Sequence, residues 1–153
     1  MKFKIIGITG SKGVLGKQIK KKNSNIIFDH FDGDISKKGD IKKWLKGKKF
    51  AAVFHFAAKV PTQDVLKNFN KSLKINYYGT KLLVDEIQKN NITKWFLFTS
   101  TSHVYKFSNK KISENANLGP VSKYGLTKLK AEQYLLNKKF NFKICIIRIF
   151  SYT

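Results

Sequence analysis

Residues 5–16 read Ile5-Ile6-Gly7-Ile8-Thr9-Gly10-Ser11-Lys12-Gly13-Val14-Leu15-Gly16. A short β-branched run over 3–9 passes directly into three glycines in the pattern G-x-x-G-x-x-G, and then into helical spacing. The run has the length and character of a buried strand. A dinucleotide site needs such a junction for physical reasons. Gly10 can take the tight turn, Gly13 lets backbone approach a pyrophosphate, and Gly16 lets the helix pack on the strand while helix N–H groups face the anion. The glycine spacing alone is weak evidence, with a plain βα turn as the alternative; its place between strand and helix is what gives it meaning.

Working outward, the pattern predicts a helix over 13–22 with Val14, Leu15 and Ile19 inward, and a strand over 26–29. A helix over 36–45 follows, with Ser36 as N-cap and Ile41, Trp44 and Leu45 on one face. Residues 50–58 (FAAVFHFAA) are almost continuously apolar, as a central parallel strand covered on both faces requires. From 65 to 90 the spacing of Leu66, Phe69, Leu73, Tyr77, Leu82, Leu83 and Ile87 fits one long helix or two consecutive ones. A strand over 95–99, a helix over 121–136 packed through Leu126, Leu129, Tyr134 and Leu135, and a strand over 143–150 complete the chain. This alternation predicts a doubly wound, Rossmann-like α/β fold: a parallel sheet with helices on both faces.

The 153 residues fit one domain, 1–153, large enough to bury roughly 70% of the unfolded surface. The formal net charge is +22, so nucleic acid and anionic membranes are partners to weigh. Of the 31 basic residues only Arg148 is an arginine, the preferred reader of bases and phosphates, and the lysines are spread along the whole chain. A dedicated nucleic-acid module is therefore a weak reading. The one cysteine, Cys145, lies in an apolar run and reads as a buried structural thiol. His30, His55 and His103 show no metal-ligand spacing, and His55 reads as a packed strand histidine. No apolar run is long enough to span a bilayer, and no cleavable signal opens the chain, so a cytoplasmic protein without membrane partners is expected.

The T-G-x-x-G-x-x-G form of Thr9 to Gly16 resembles the short-chain dehydrogenases/reductases, and especially their extended branch, the NAD-dependent epimerase/dehydratase family. Gly33-Asp34-Ile35 is similar to the family's G-D-[ILV] element, whose aspartate and following residue contact adenine. His55-Phe56-Ala57-Ala58 is similar to its H-L-A-A segment bordering the cofactor. Asn76-Tyr77-Tyr78-Gly79-Thr80 matches its N-x-x-G-T, where the asparagine bends a helix and supports the active site. Asp29 lies at a suitable distance from the turn to hold an adenosine ribose through its 2′-hydroxyl, which favours NAD, while Lys12 leaves NADP open. The resemblance thus implies cofactor contacts from Gly10, Ser11, Lys12, Gly13, Val14, Leu15, Gly16, Asp29, Asp34, Ile35, Phe56, Ala57, Ala58, Asn76, Thr99, Tyr124 and Lys128.

Tyr124 and Lys128 form Y-x-x-x-K, whose i,i+4 spacing puts both on one helical face. A phenol with a pKa near 10 is a poor base at neutral pH. An adjacent ammonium and an oxidised nicotinamide would lower that value and fit it for proton transfer while hydride moves. In a lysine-rich chain the pair alone means little, but Pro120 to Glu132 resembles the family's P-x-S-x-Y-G-x-[ST]-K-x-x-x-E. Residues 98–105 (FTSTSHVY) are similar to its S-S-[ST]-x-x-V-Y, which selects Thr101 as the hydroxyl donating to the substrate oxygen. Arg148 and Phe150 fit the family's R-x-x-N-x-[YF]-G-P, where Ser151 replaces the asparagine.

Family members continue well beyond this length, so the chain is expected to be truncated before a C-terminal substrate domain, as a fragment or a shortened product. The short stretch between Asp29 and Asp34 resembles compact members, including the dTDP-4-dehydrorhamnose reductase type. The implied function is a nucleotide-sugar epimerase, dehydratase or reductase using NAD or NADP, with Thr101, Tyr124 and Lys128 as triad and room for a homodimer. A cofactor-binding sensor or scaffold without turnover is the second hypothesis and a basic nucleic-acid module the third.

Overall fold

The computed structural model describes residues 5–23, 25–60 and 68–150. Five strands, β1 (Ile5–Thr9), β2 (Ile27–His30), β3 (Ala52–His55), β4 (Trp95–Thr101) and β5 (Lys143–Ile149), form one parallel sheet in the order β2-β1-β3-β4-β5. The helices are α1 (Val14–Lys22), α2 (Lys38–Leu45), α3 (Phe69–Leu73), α4 (Thr80–Lys89) and α5 (Lys123–Asn137). Chain order steps left from β1 to β2, then jumps over β1 to β3 and runs right. Right-handed crossovers then place α1 on one face and α2, α4 and α5 on the other. The direction reverses between β1 and β3, and ligands of such sheets bind outside the carboxyl ends of the strands at that point.

Register and alternation divide the core. Val53, Phe96 and Ile144 form one row and His55, Phe98 and Ile146 the next, all on the α2/α4/α5 face. There they meet Ile41, Leu83, Val84, Ile87 and Leu135 in one apolar cluster. Each fully buried Leu, Ile or Phe contributes about 2 kcal/mol there. The opposite face carries Ile8, Phe54, Leu97 and Cys145 in one row. Ile8 is buried, but the other three are only partly so, and Cys145 is not the enclosed thiol its apolar neighbours predicted. β5 has no fully buried residue.

Several local expectations change. α1 buries only Gly16, and Val14, expected inward, is 59% exposed. Ser36 does not cap α2, whose N-cap is Lys37; Ser36 instead donates from its N–H and Oγ to Asp34 Oδ1 at 2.9 and 2.8 Å, closing a local turn. β3 ends at His55, so residues 56–58 leave the sheet. The long helical segment is broken: α3 begins after Asn68, whose Oδ1 accepts from Lys71 N–H, and a six-residue π-helical turn, Lys74–Gly79, separates it from α4. α5 starts after Ser122, whose Oγ accepts from Gly125 N–H at 3.0 Å, and its Leu126 faces solvent. Residues 3 and 4, Val65, Leu66 and Ser151 lie outside the described residues.

Candidate active site

The glycine turn is shaped by contacts that forbid side chains. Gly10 has φ +71°, and a Cβ there would lie 2.5 Å from the Ala57 backbone nitrogen. A Cβ on Gly16 would lie 2.6 Å from the Gly10 carbonyl oxygen, so the helix start is pressed onto the turn. Gly13, by contrast, is exposed, and α1 has no acidic residue in its first turn to oppose an anion at its N-terminus. A groove of about 560 Å³ opens beside this turn, lined by Gly10, Ser11, Lys12 and Gly13, by Phe31 to Ile35, by Phe56 to Lys59, and by Ile75. It lies at the sheet's switch point and has the size of a small-molecule site.

The groove brings together Gly10, Ser11, Lys12, Gly13, Asp34, Ile35, Phe56, Ala57 and Ala58 of the residues singled out from sequence. Val14 and Leu15 are not among its lining; they belong to α1 beyond the turn. Asp29 is not among the lining residues. It pairs with Gly7 inside the sheet, and its carboxylate is turned to the α2 side, accepting from Trp44 Nε1 at 2.7 Å and from Lys48 Nζ at 2.8 Å. Two acids, Asp32 and Asp34, line the groove; Asp32, three residues beyond Asp29, is paired with Lys12 at 3.0 Å with both side chains exposed. Sequence reading singled out Asp29 as the acid after the second strand and did not single out Asp32, which follows β2 in the loop. Ser36 holds the Asp34 carboxyl below the usual carboxylate range through its two hydrogen bonds.

The remaining residues form a second cluster. Thr99 Oγ1 donates to the His55 carbonyl at 3.1 Å. Thr101 ends β4, buried, with Oγ1 accepting from His103 N–H at 3.3 Å in a 3-10 turn, Ser102–Val104. α5 presses against this turn: a Cβ on Gly125 would lie 2.2 Å from the His103 carbonyl oxygen, and the rings of His103 and Tyr124 are 5.9 Å apart, edge to face. Tyr124 is half-buried and Lys128 fully buried, its Nζ 4.0 Å from the Phe98 ring centroid. Asn76 sits in the π-helical turn, a type of irregularity often found at functional sites. Its Oδ1 accepts from Lys59 N–H at 2.7 Å, and its Nδ2 donates to the Lys59 carbonyl and to Thr127 Oγ1, each at 3.0 Å.

In the protein alone, burial governs the electrostatics of this cluster. Burial raises the Tyr124 phenol above its ordinary value. Burial also pushes Lys128 down to about 7, against the opposing charge of Glu132 one turn away. The protein alone therefore leaves Tyr124 a protonated phenol one helical turn from a lysine whose charge burial opposes. Glu132 itself is fully buried and held by Arg148, with Nη2 at 2.8 Å. Arg148 Nη1 also donates to Tyr105 OH at 2.9 Å, tying β5 to α5 and to the loop after β4.

Comparison with known proteins gives a consistent result. The model of the NAD dependent epimerase/dehydratase family matches residues 6–152. "Uncharacterized UDP-glucose epimerase YtcB" of Bacillus subtilis is 29% identical, over 94% of this chain and 55% of its own length. A UDP-glucose 4-epimerase of Lactobacillus helveticus is 26% identical over 99% of this chain and 52% of its own. In structure the chain is similar to a dTDP-4-dehydrorhamnose reductase of Bacillus anthracis in complex with NADP, with TM-score 0.85, 22% identity, and coverage of 98% of this chain and 54% of that one. It is also similar to the UDP-Glc/GlcNAc 4-epimerase of Campylobacter jejuni, with TM-score 0.82, 25% identity, and coverage of 95% and 53%. The chain spans about half the length of the curated relatives it matches.

Proposed function

Because the chain belongs to the NAD dependent epimerase/dehydratase family, we propose that it carries the cofactor-binding portion of an NAD- or NADP-dependent nucleotide-sugar epimerase, dehydratase or reductase. The observation that carries this reading is the glycine turn at the switch point, where side chains are forbidden by Ala57 and a groove opens at the N-terminus of α1. These features fit a dinucleotide: backbone N–H groups of residues 10–12 hold its diphosphate, the Gly13 N–H being engaged by the Gly10 carbonyl, and Asp32 accepts from ribose hydroxyls. Lys12, already at the groove mouth, is placed to meet a 2′-phosphate instead.

When bound, a nicotinamide ring supplies a hydride acceptor or donor at a sugar carbon. Tyr124 gives or takes the proton of the sugar oxygen, and Thr101 donates a hydrogen bond to that oxygen as charge develops on it. Lys128 holds the nicotinamide ribose, and its charge, where present, lowers the cost of a Tyr124 phenolate. Since burial keeps the phenol protonated in the protein alone, Tyr124 is set first as a donor. A second reading is a cofactor-binding protein without turnover, since the chain spans about half the length of the curated relatives it matches.

The two readings part on one assay, in which the chain is incubated with NAD+ and UDP-glucose, or with NADH and a UDP-4-keto-sugar, while nicotinamide absorbance is followed. The enzyme reading predicts hydride exchange that falls by about 100-fold or more in Tyr124→Phe, with NAD+ affinity nearly unchanged. Equal rates in Tyr124→Phe would remove Tyr124 from the mechanism. Binding of NAD+ with no exchange at all would favour the second reading.

A further inference from the structure

His55 closes β3 with its ring buried between Phe96 and Phe98, each ring centroid 5.9 Å away. Both ring nitrogens are engaged: Thr9 Oγ1 lies 2.6 Å from Nδ1 and Thr80 Oγ1 2.9 Å from Nε2. The neighbours decide the direction of each bond. Thr80 Oγ1 donates its one proton to the Asn76 carbonyl at 2.8 Å, so it must accept from Nε2–H. Nδ1 is then an acceptor for the Thr9 hydroxyl, which itself accepts from Ala57 N–H at 3.2 Å. One polarity therefore runs from Ala57 through Thr9, His55 and Thr80 to Asn76.

Both ends of this chain reach the site. Ala57 backbone is what excludes a side chain at Gly10, and it lines the groove. At the other end the Asn76 side chain donates to Thr127 Oγ1, which donates to the Tyr124 carbonyl at 2.8 Å. Burial, aided by the Lys128 charge, pushes the imidazole down to about 3. A neutral ring keeps one tautomer across physiological pH, and the bond directions stay fixed. A shorter route from the groove, Lys59 to the Asn76 side chain to Thr127, meets this path at Asn76; the Thr9–His55–Thr80 bonds are the buried segment that joins Thr9, at the end of β1 beside the glycine turn, to the same residue.

We propose that His55 is a positioning residue: by holding the Nε2–H tautomer it couples the glycine turn to the helix that carries Tyr124 and Lys128, so that filling the groove stiffens that helix. Only the last clause rests on the dinucleotide reading above. The coupling itself is a property of the protein.

The test uses the whole chain, with ¹⁵N imidazole spectra and amide hydrogen exchange. The spectra are expected to show a neutral Nε2–H ring at every pH down to about 5. Thr9→Val, at the far end of the path, is expected to speed exchange at residues 124–128 by about tenfold, the factor one lost buried hydrogen bond carries. His55→Leu should do the same, and His55→Gln, which keeps one acceptor and one donor, should return exchange close to that of the unaltered chain. Saturating NAD+ should slow exchange at 124–128 in the unaltered chain and His55→Gln but not in His55→Leu, while protecting residues 10–13 in all three.

An Nδ1–H ring, a charged ring near neutral pH, or exchange at 124–128 indifferent to Thr9→Val would each overturn the proposal. If NAD+ protects neither segment, the dinucleotide reading fails, and the tautomer and Thr9→Val results still decide the role of His55. Should His55→Leu not fold, those same two results decide it.

Discussion

Replacing Lys128 by methionine should stabilise the chain at neutral pH and do so less as pH rises. The ammonium is fully buried over Phe98 and its pKa is lowered from 10.5 to about 7. Below the folded value both states are protonated and the burial cost is complete. Between the folded and unfolded values the unfolded chain binds the proton and the native one does not, so native stability rises with pH. Above both values the cost is gone. A shift of this size corresponds to on the order of 5 kcal/mol in full. Between about pH 6.5 and about pH 9.5 the linkage relation recovers about 3 kcal/mol of it. The assay is urea unfolding of the native chain and Lys128→Met at both pH values. Taking the difference between the two proteins cancels most of the self-repulsion of a chain with net charge +22. The stability advantage of the variant should shrink by about 3 kcal/mol over that interval. An advantage that stays constant, or grows, would refute a lysine whose charge is suppressed by burial.

Four further substitutions probe the geometry. Gly10→Ala must place a Cβ against Ala57 backbone at positive φ, so it should cost about 2 kcal/mol or more in chemical unfolding and abolish NAD+ binding in a fluorescence titration. Asp29→Asn should lower stability by about 1 kcal/mol through its Trp44 and Lys48 partners and leave NAD+ affinity alone. Asp32→Asn should weaken NAD+ binding severalfold with stability unchanged, since its ion pair is exposed; the reverse pattern would restore Asp29 to the site. Glu132→Ala leaves Arg148 without its carboxylate, which should cost about 3–5 kcal/mol in urea unfolding, and a near-zero change would show that the pair is not holding β5 to α5.

The strand and helix alternation was legible because it rests on local signals: short apolar runs, glycine punctuation, and inward faces such as Ile41, Trp44 and Leu45. The groove residues 10–13, 34, 35 and 56–58 were legible through motif resemblance. What escaped depended on register or on tertiary contacts. Asp29 pairs with Gly7 and shares its α2-facing side of the sheet, while Asp32 lies in the loop beyond β2 at the groove, and composition does not fix that register. Val14 looked inward by spacing, yet α1 meets the turn mainly through Gly16. The π-helical turn at Lys74–Gly79 is signalled only by Asn76. Thr9, Thr80 and Thr127 became visible as partners of His55 and Asn76 only once the sheet brought residues 46 and 51 positions apart within hydrogen-bond reach. Spacing places Lys128 one turn from Tyr124 but does not report the desolvation that, in the protein alone, raises the phenol and lowers the ammonium.

Isothermal calorimetry of the chain with NAD+ and with NADP+ decides whether the glycine turn holds a dinucleotide. Saturable one-to-one binding of at least one of them, lost in Gly10→Ala, is the expected result. Heats of dilution alone from folded protein, with both dinucleotides, would contradict it.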